Sequence, residues 1–124
     1  MAKSEKNLWQ RIKKLKLKGQ IFRIESNTIN GIPDVFWLIN NKSFWIELKS
    51  NDVKNLGLSK FQINWHLEHL SNGGQSFILR EVLSQRTSKH LKKYELWQIR
   101  EPRNLVRAYS SLALAEIFKK ISTQ

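Results

Sequence analysis

Cysteine is absent from the 124 residues, which excludes a disulfide framework and any thiolate metal site. No apolar run is long enough to cross a bilayer or anchor in one, so no membrane partner is expected. The start, Met1-Ala2-Lys3-Ser4-Glu5-Lys6, is charged and leads into an amphipathic helix rather than a secretory leader, and a cytoplasmic setting is the expectation. There is no internal repeat, no low-complexity linker, and no spacing that reads as a helix-turn-helix or zinc finger. Acidic residues are scarce: ten Asp and Glu stand against 22 Lys and Arg, a formal net charge of +12. Such an imbalance favours a polyanion, bound through phosphate contacts that weaken with salt. The length suits one domain with a single core.

What is present organises that domain. Ser4 can cap a helix with Leu8, Ile12 and Leu15 on one face, Lys13, Lys14, Lys16 and Lys18 elsewhere, and Gly19 at its end. Gln20 to Glu25 alternates as a first strand, and Ser26 to Ile32 is a polar loop. Two runs rich in β-branched and aromatic residues, Val35 to Ile39 and Ser43 to Lys49, flank the short turn Asn40-Asn41-Lys42, the pattern of a β-hairpin. The loop Ser50 to Leu58 leads to a helix from about Ser59 to Asn72, stopped by Gly73-Gly74, and Gln75 to Arg80 forms another strand. Beyond it come a basic segment (Arg86 to Lys93), a strand Tyr94 to Arg100, and a last helix. Pro102 fits the first turn of that helix, and Leu105, Tyr109, Leu112, Glu116 and Ile117 lie on its face. That face offers a dimer surface or, equally, part of a monomer core.

The residues that carry chemistry lie at the open end of the hairpin. Asp34 stands where the first strand begins and Glu47 near the end of the second. Antiparallel pairing makes neighbours of two carboxylates thirteen positions apart. Paired hard oxygen ligands suit Mg²⁺ or Mn²⁺. Lys49 shares the strand face of Glu47, so its ammonium points at whatever the cation holds. The bland alternatives are a loop residue after proline for Asp34 and a cross-strand salt bridge for Glu47 and Lys49. Against them, Glu47 sits among Phe44, Trp45, Ile46 and Leu48, where a carboxylate needs a strong partner.

Pro33-Asp34 followed by Glu47-Leu48-Lys49 resembles the defining motif of the PD-(D/E)xK nuclease superfamily, and most of all its small stand-alone VRR-NUC domains and Holliday junction resolvases. Gly31, Gln62 in the next helix and Gly73-Gly74 fit the same pattern, which covers roughly residues 4 to 80. The resemblance implies an α/β, restriction-endonuclease-like core of order α-β-β-β-α-β, a mixed central sheet flanked by helices, to which residues 81–124 add a strand and a helix. It also implies hydrolysis of phosphodiester bonds, with Asp34, Glu47 and the backbone carbonyl of Leu48 around Mg²⁺ or Mn²⁺ and Lys49 steering the attacking water or offsetting transition-state charge. Glu5 stands where relatives place a further metal ligand, and Glu25 is a second candidate, though a solvated strand residue is the better reading of it. An acid in the first turn of a helix is equally accounted for by the helix dipole. Gln62 matches a glutamine that relatives use near the metal-bound water or the DNA backbone. It also completes a capping box with Ser59, which is a sufficient local reason for it.

Lys54, Lys60, Arg86, Lys89, Lys92 and Lys93 read as a surface that tracks phosphates. His66 and His69 have a spacing that can bind zinc, but no third ligand lies near, so packing or phosphate contact is the better reading. Trp9, Trp37, Trp45, Trp65 and Trp97 read as core or dimer packing rather than stacking platforms. Small stand-alone relatives act on branched DNA as homodimers, so resolution of a Holliday junction is the expected activity. The alternatives are the same chemistry on flap, nicked, single-stranded or specific duplex DNA, and a non-catalytic DNA-binding protein. An RNA-binding or ribonuclease module is weaker, since no RNP-type aromatic motif or GxxG loop is present.

Overall fold

A computed structural model of the chain describes residues 3–26, 28–83, 92–101 and 103–124. The elements are α1 (Lys3–Lys14), β1 (Gln20–Arg23), β2 (Val35–Ile39), β3 (Lys42–Ser50), a 3-10 turn (Lys54–Gly57), α2 (Lys60–Ser71), β4 (Ser76–Val82), β5 (Lys93–Arg100), β6 (Asn104–Ser111) and α3 (Leu114–Ser122). The six strands form one mixed sheet in the order β1-β2-β3-β4-β5-β6, and the fold is α/β. Only the β3–β4 pairing is parallel among the described strands, with α2 in the connection between them.

Local chemistry explains why the sheet has these bounds. Asn40 and Asn41 both have positive φ, 52° and 64°, so two residues close the β2–β3 hairpin with the twist such turns favour. Ser59 caps α2 by accepting from Gln62 N–H at 3.2 Å, while Gln62 Oε1 accepts from Ser59 N–H at 2.9 Å.

Helices α1 and α3 cover one face of the sheet. Leu8, Trp9 and Ile12 of α1 and Leu114, Ile117, Phe118 and Ile121 of α3 join Val35, Trp37, Phe44, Ile46, Leu48, Phe77 and Leu79 in the main core. A smaller cluster on the other face joins Leu56, Ile63 and Leu67 to Ile78, Trp97, Ile99 and Leu105. No helix among the described residues is long and apolar enough to cross a membrane.

Three expectations change. α1 runs from Lys3 to Lys14, so Ser4 lies within its first turn and Gly19 follows a separate turn in which Leu15 N–H bonds to Ile12 O at 3.1 Å. The last helix is only Leu114–Ser122, because Asn104–Ser111 is a sixth strand antiparallel to β5. Leu105 and Tyr109 satisfy both a helical and an alternating pattern, and Arg107 between them pairs with Trp97, which decides for the strand. Pro102 lies outside the described residues. Finally, the helical face expected to serve a dimer or the core is narrowed: Leu114, Ile117, Phe118 and Ile121 of α3 are buried in the core of this chain, and Leu112 is exposed before the helix starts.

Candidate active site

The hairpin register pairs Val35 with Ile46, so Asp34 and Glu47 fall opposite one another one step further on. β2 begins just after Pro33, which has no N–H to give a ladder. The strand end leaves the next stretch of β3 without a β2 partner. Asp34 takes up that vacancy: its Oδ2 accepts from Leu48 N–H at 2.9 Å, and its backbone carbonyl accepts from Ile24 N–H at 2.6 Å. Asp34 is thereby tied to both neighbouring strands. In a strand the N–H and C=O of one residue point the same way, so the Leu48 carbonyl faces this side too.

Glu47 is 3% exposed, and its Oε1 is buried with no hydrogen-bond partner among the described residues. Burial first, then hydrogen bonding and charge from Asp34, push its pKa up to about 10, and Glu5 adds a little in the same direction. Lys49, two residues along the same strand face, pulls the other way. The ammonium of Lys49 donates to Gly57 O at 3.4 Å, a long bond. The structure thus brings Asp34, Glu47 and Lys49 together and sets Glu5 within electrostatic reach.

Asp34 and Glu47 open onto a cleft of about 650 Å³, walled by Arg23, by residues 24–26 and 29–32, and by Ser59, Phe61 and Gln62 of the α2 start. Gly31 fixes that wall. Its φ is +81°, and a Cβ there would lie 2.3 Å from Phe61 O, so the loop and the α2 backbone meet in van der Waals contact that only glycine allows. Gln62 therefore does two things: it completes the capping box and it lines the cleft.

A hard divalent cation fits the acid pair, because it would give the orphaned Glu47 oxygen a partner and remove the conflict between two adjacent carboxylates. Among the described residues no group of three or more His, Cys, Asp or Glu side chains gathers at metal-ligand distances. The oxygens such a cation would meet are those of the pair, with the Leu48 carbonyl turned to the same side. His66 is not part of any such set. It is buried, with Nδ1 2.7 Å from Ser76 Oγ, and burial, then His69, push its pKa down to about 4. His69 stacks on Trp65 at 4.7 Å.

The basic residues are scattered. Lys54 and Lys60 are exposed, with Lys60 Nζ 5.3 Å from the Phe61 ring. Lys92 lies 3.4 Å from buried Glu81, an internal ion pair rather than an open phosphate contact. Lys93 is half-buried at the start of β5, while Arg86 and Lys89 lie outside the described residues. Glu25 is exposed and pairs with Arg23 at 2.7 Å. Arg23 is the cleft residue that sequence reasoning missed. Its Nε is buried without a partner among the described residues, and nothing in the pattern QIFR sets it apart. Two buried acids, Glu81 and Glu95, also escaped notice.

No protein-family model matches the chain, and no curated protein matches it either.

Proposed function

We propose that the protein is a metal-dependent endodeoxyribonuclease acting on branched DNA. The observation that carries this reading is the Asp34–Glu47 pair, with one carboxylate oxygen buried and unpartnered and Lys49 on the same strand face. Support also comes from the order of elements through Val82, which is helix, three strands, helix, strand, as the PD-(D/E)xK resemblance implies. The charge of +12 suits a phosphate backbone.

Asp34 and Glu47 would hold the cation, with the Leu48 carbonyl turned to the same side. When bound, Mg²⁺ or Mn²⁺ acidifies a water and stabilises negative charge on the reacting phosphate. Glu47 must give up its proton for this, so the site loads best above neutral pH. Lys49 supplies a positive charge to the phosphate or orients the attacking water, and its weak bond to Gly57 O is easily exchanged for that task. Gln62 offers its amide nitrogen to the cleft without breaking the cap. Arg23, on the cleft wall, adds a planar donor suited to a phosphate.

Holliday junction resolution is the substrate reading carried by the resemblance, and a homodimer accompanies it because two symmetric cuts need two sites. The test is cleavage of a four-way junction, a flap, linear duplex, single-stranded DNA and RNA by wild type and Asp34→Ala, with Mg²⁺, Mn²⁺ or chelator. Paired cuts on the junction, lost in the variant and in chelator, are expected. Metal-dependent cutting of another DNA keeps the chemistry and discards the junction. Cutting that persists in chelator or in Asp34→Ala rejects the site.

A further inference from the structure

Phe22, Phe36 and Trp45 lie side by side across β1, β2 and β3, since the register pairs Phe22 with Phe36 and Phe36 with Trp45. Phe22 and Phe36 stack with centroids 6.2 Å apart and planes at 12°, and Phe36 meets Trp45 edge-on at 5.0 Å. Trp65 of α2 extends the row 5.5 Å from Trp45, and His69 stacks on Trp65. Phe22 is 46% exposed, and the other four rings are half-buried. Among the described residues α2 packs mainly over β4 and β5, further along the sheet, and leaves this part of the face partly exposed. Leu38, in the next row, is exposed as well. A contiguous aromatic surface of this kind marks a binding site more often than an idle surface.

The row adjoins the acid pair. Phe36 is two residues after Asp34 and Trp45 two before Glu47, on the same face of the sheet and about 7 Å away along the strands. A phosphodiester held at the pair therefore puts its flanking base within reach of the rings. A second copy of the chain would add a further net charge of +12 to the assembly, whereas a nucleic-acid strand offsets the charge already there. Bases in a duplex have their faces covered by one another; only unpaired bases can stack on protein rings.

We propose that Phe22, Phe36, Trp45, Trp65 and His69 form a stacking platform for unpaired bases beside the phosphodiester held at Asp34 and Glu47. The inference rests on the nuclease reading and narrows it to DNA with a single-stranded stretch next to the cut.

Binding in chelator, where nothing is cut, tests it. The full chain is titrated at one salt concentration with an oligothymidylate, with an abasic phosphodiester chain of the same length, and with a blunt duplex. The oligothymidylate should bind about tenfold or more tightly than the abasic chain and quench tryptophan emission. Phe22→Ser, at an exposed edge position, and Trp65→Leu should each remove several-fold of that preference and leave abasic binding unchanged. Equal affinity for the two strands without quenching overturns the platform, and needs no variant to show it. Loss of dimer in Phe22→Ser by sedimentation, with base preference intact, also overturns it and gives the face to a second copy. Cleavage with Mg²⁺ or Mn²⁺ is scored separately. Cutting without base preference rejects the platform and keeps the nuclease; base preference without cutting in either metal keeps the platform and rejects the nuclease.

Discussion

Glu47 and Glu95 are both buried on the α2 side of the sheet, in neighbouring rows, and they meet opposite circumstances. Glu95 is 5% exposed, but its Oε1 receives Arg80 Nε at 2.9 Å, Arg80 Nη2 at 2.7 Å and Trp97 Nε1 at 3.1 Å, and its Oε2 receives Arg107 at 3.3 Å. Burial works against the charge, yet the bonds from Arg80, Trp97 and Arg107 hold this carboxyl below its ordinary value. Glu47 has another carboxylate for a neighbour and an oxygen with nothing, so its pKa rises to about 10. Burial alone does not decide whether a carboxyl is held charged or protonated. The partner does. Glu81 follows Glu95, with Ser50 Oγ donating at 2.9 Å and Arg11 and Lys92 as counter-charges.

The largest effects should separate these two acids. Glu47→Gln should lower the single-turnover cleavage rate at least about a hundredfold. In chelator its urea-unfolding free energy should equal or exceed that of wild type, because a neutral amide replaces a group the fold already keeps protonated. Glu95→Gln should do the reverse, costing about 3 kcal/mol by leaving Arg80 short of its counter-charge, while cleavage by the purified folded protein is kept. Equal destabilisation by both substitutions would erase the contrast.

Next in size is the coupling of cation and proton at Glu47. Its folded pKa lies above the ordinary value of 4.5, so the fold's preference for the protonated acid is fully present below 4.5 and is lost as pH rises towards 10. A bound cation must displace that proton. Thermal melts with Mg²⁺ should therefore show a stabilisation of about 2 to 3 kcal/mol at saturating metal, growing as pH rises from roughly 6 to roughly 9. A shift that is flat with pH, or that survives in Glu47→Gln, would place the cation elsewhere.

Gly31→Ala should cost about 1 to 2 kcal/mol and slow cleavage, since strain and the Phe61 backbone together force the cleft wall to move. Gly73→Ala is the control: its φ is +86° but nothing lies within 4 Å of a new Cβ, so it should cost less and leave cleavage unchanged. The last effect is on a base and shows only in acid. His66, held near 4 by burial, stabilises the fold fully above its ordinary 6.5, and that contribution is lost as pH falls towards 4. The slope approaches about 1.4 kcal/mol per pH unit. In acid-unfolding curves His66→Gln should flatten this window, and an unchanged slope would mean that another group titrates there.

The hairpin, its turn, the capped helix and the acid pair were legible because each is fixed by residues close in sequence. Asn40-Asn41 sets the turn, Ser59 and Gln62 close the cap, and the register then puts Asp34 opposite Glu47 without further information. The buried acids were not legible, because Arg11, Arg80 and Arg107 reach Glu81 and Glu95 from other elements. β6 was lost to a helix since Leu105 and Tyr109 suit either period, and only pairing with β5 settles it. The ring row was invisible for a related reason: whether Trp45 and Trp65 are core depends on how far α2 reaches across the sheet.

The two-residue turn at Asn40-Asn41 also bears on the order in which the molecule assembles. β2 and β3 can zip as a hairpin within microseconds, about the fastest event open to a sheet. The parallel β3–β4 pairing must wait for the whole α2 crossover, a longer loop to close. If the hairpin forms first, Asp34 and Glu47 meet while water still screens them, and the later docking of α2 and β4 drives water off a pair already formed. The cost of burying the acids then falls on the late steps, so Glu47→Gln should speed the final consolidation of the fold and leave hairpin formation unchanged.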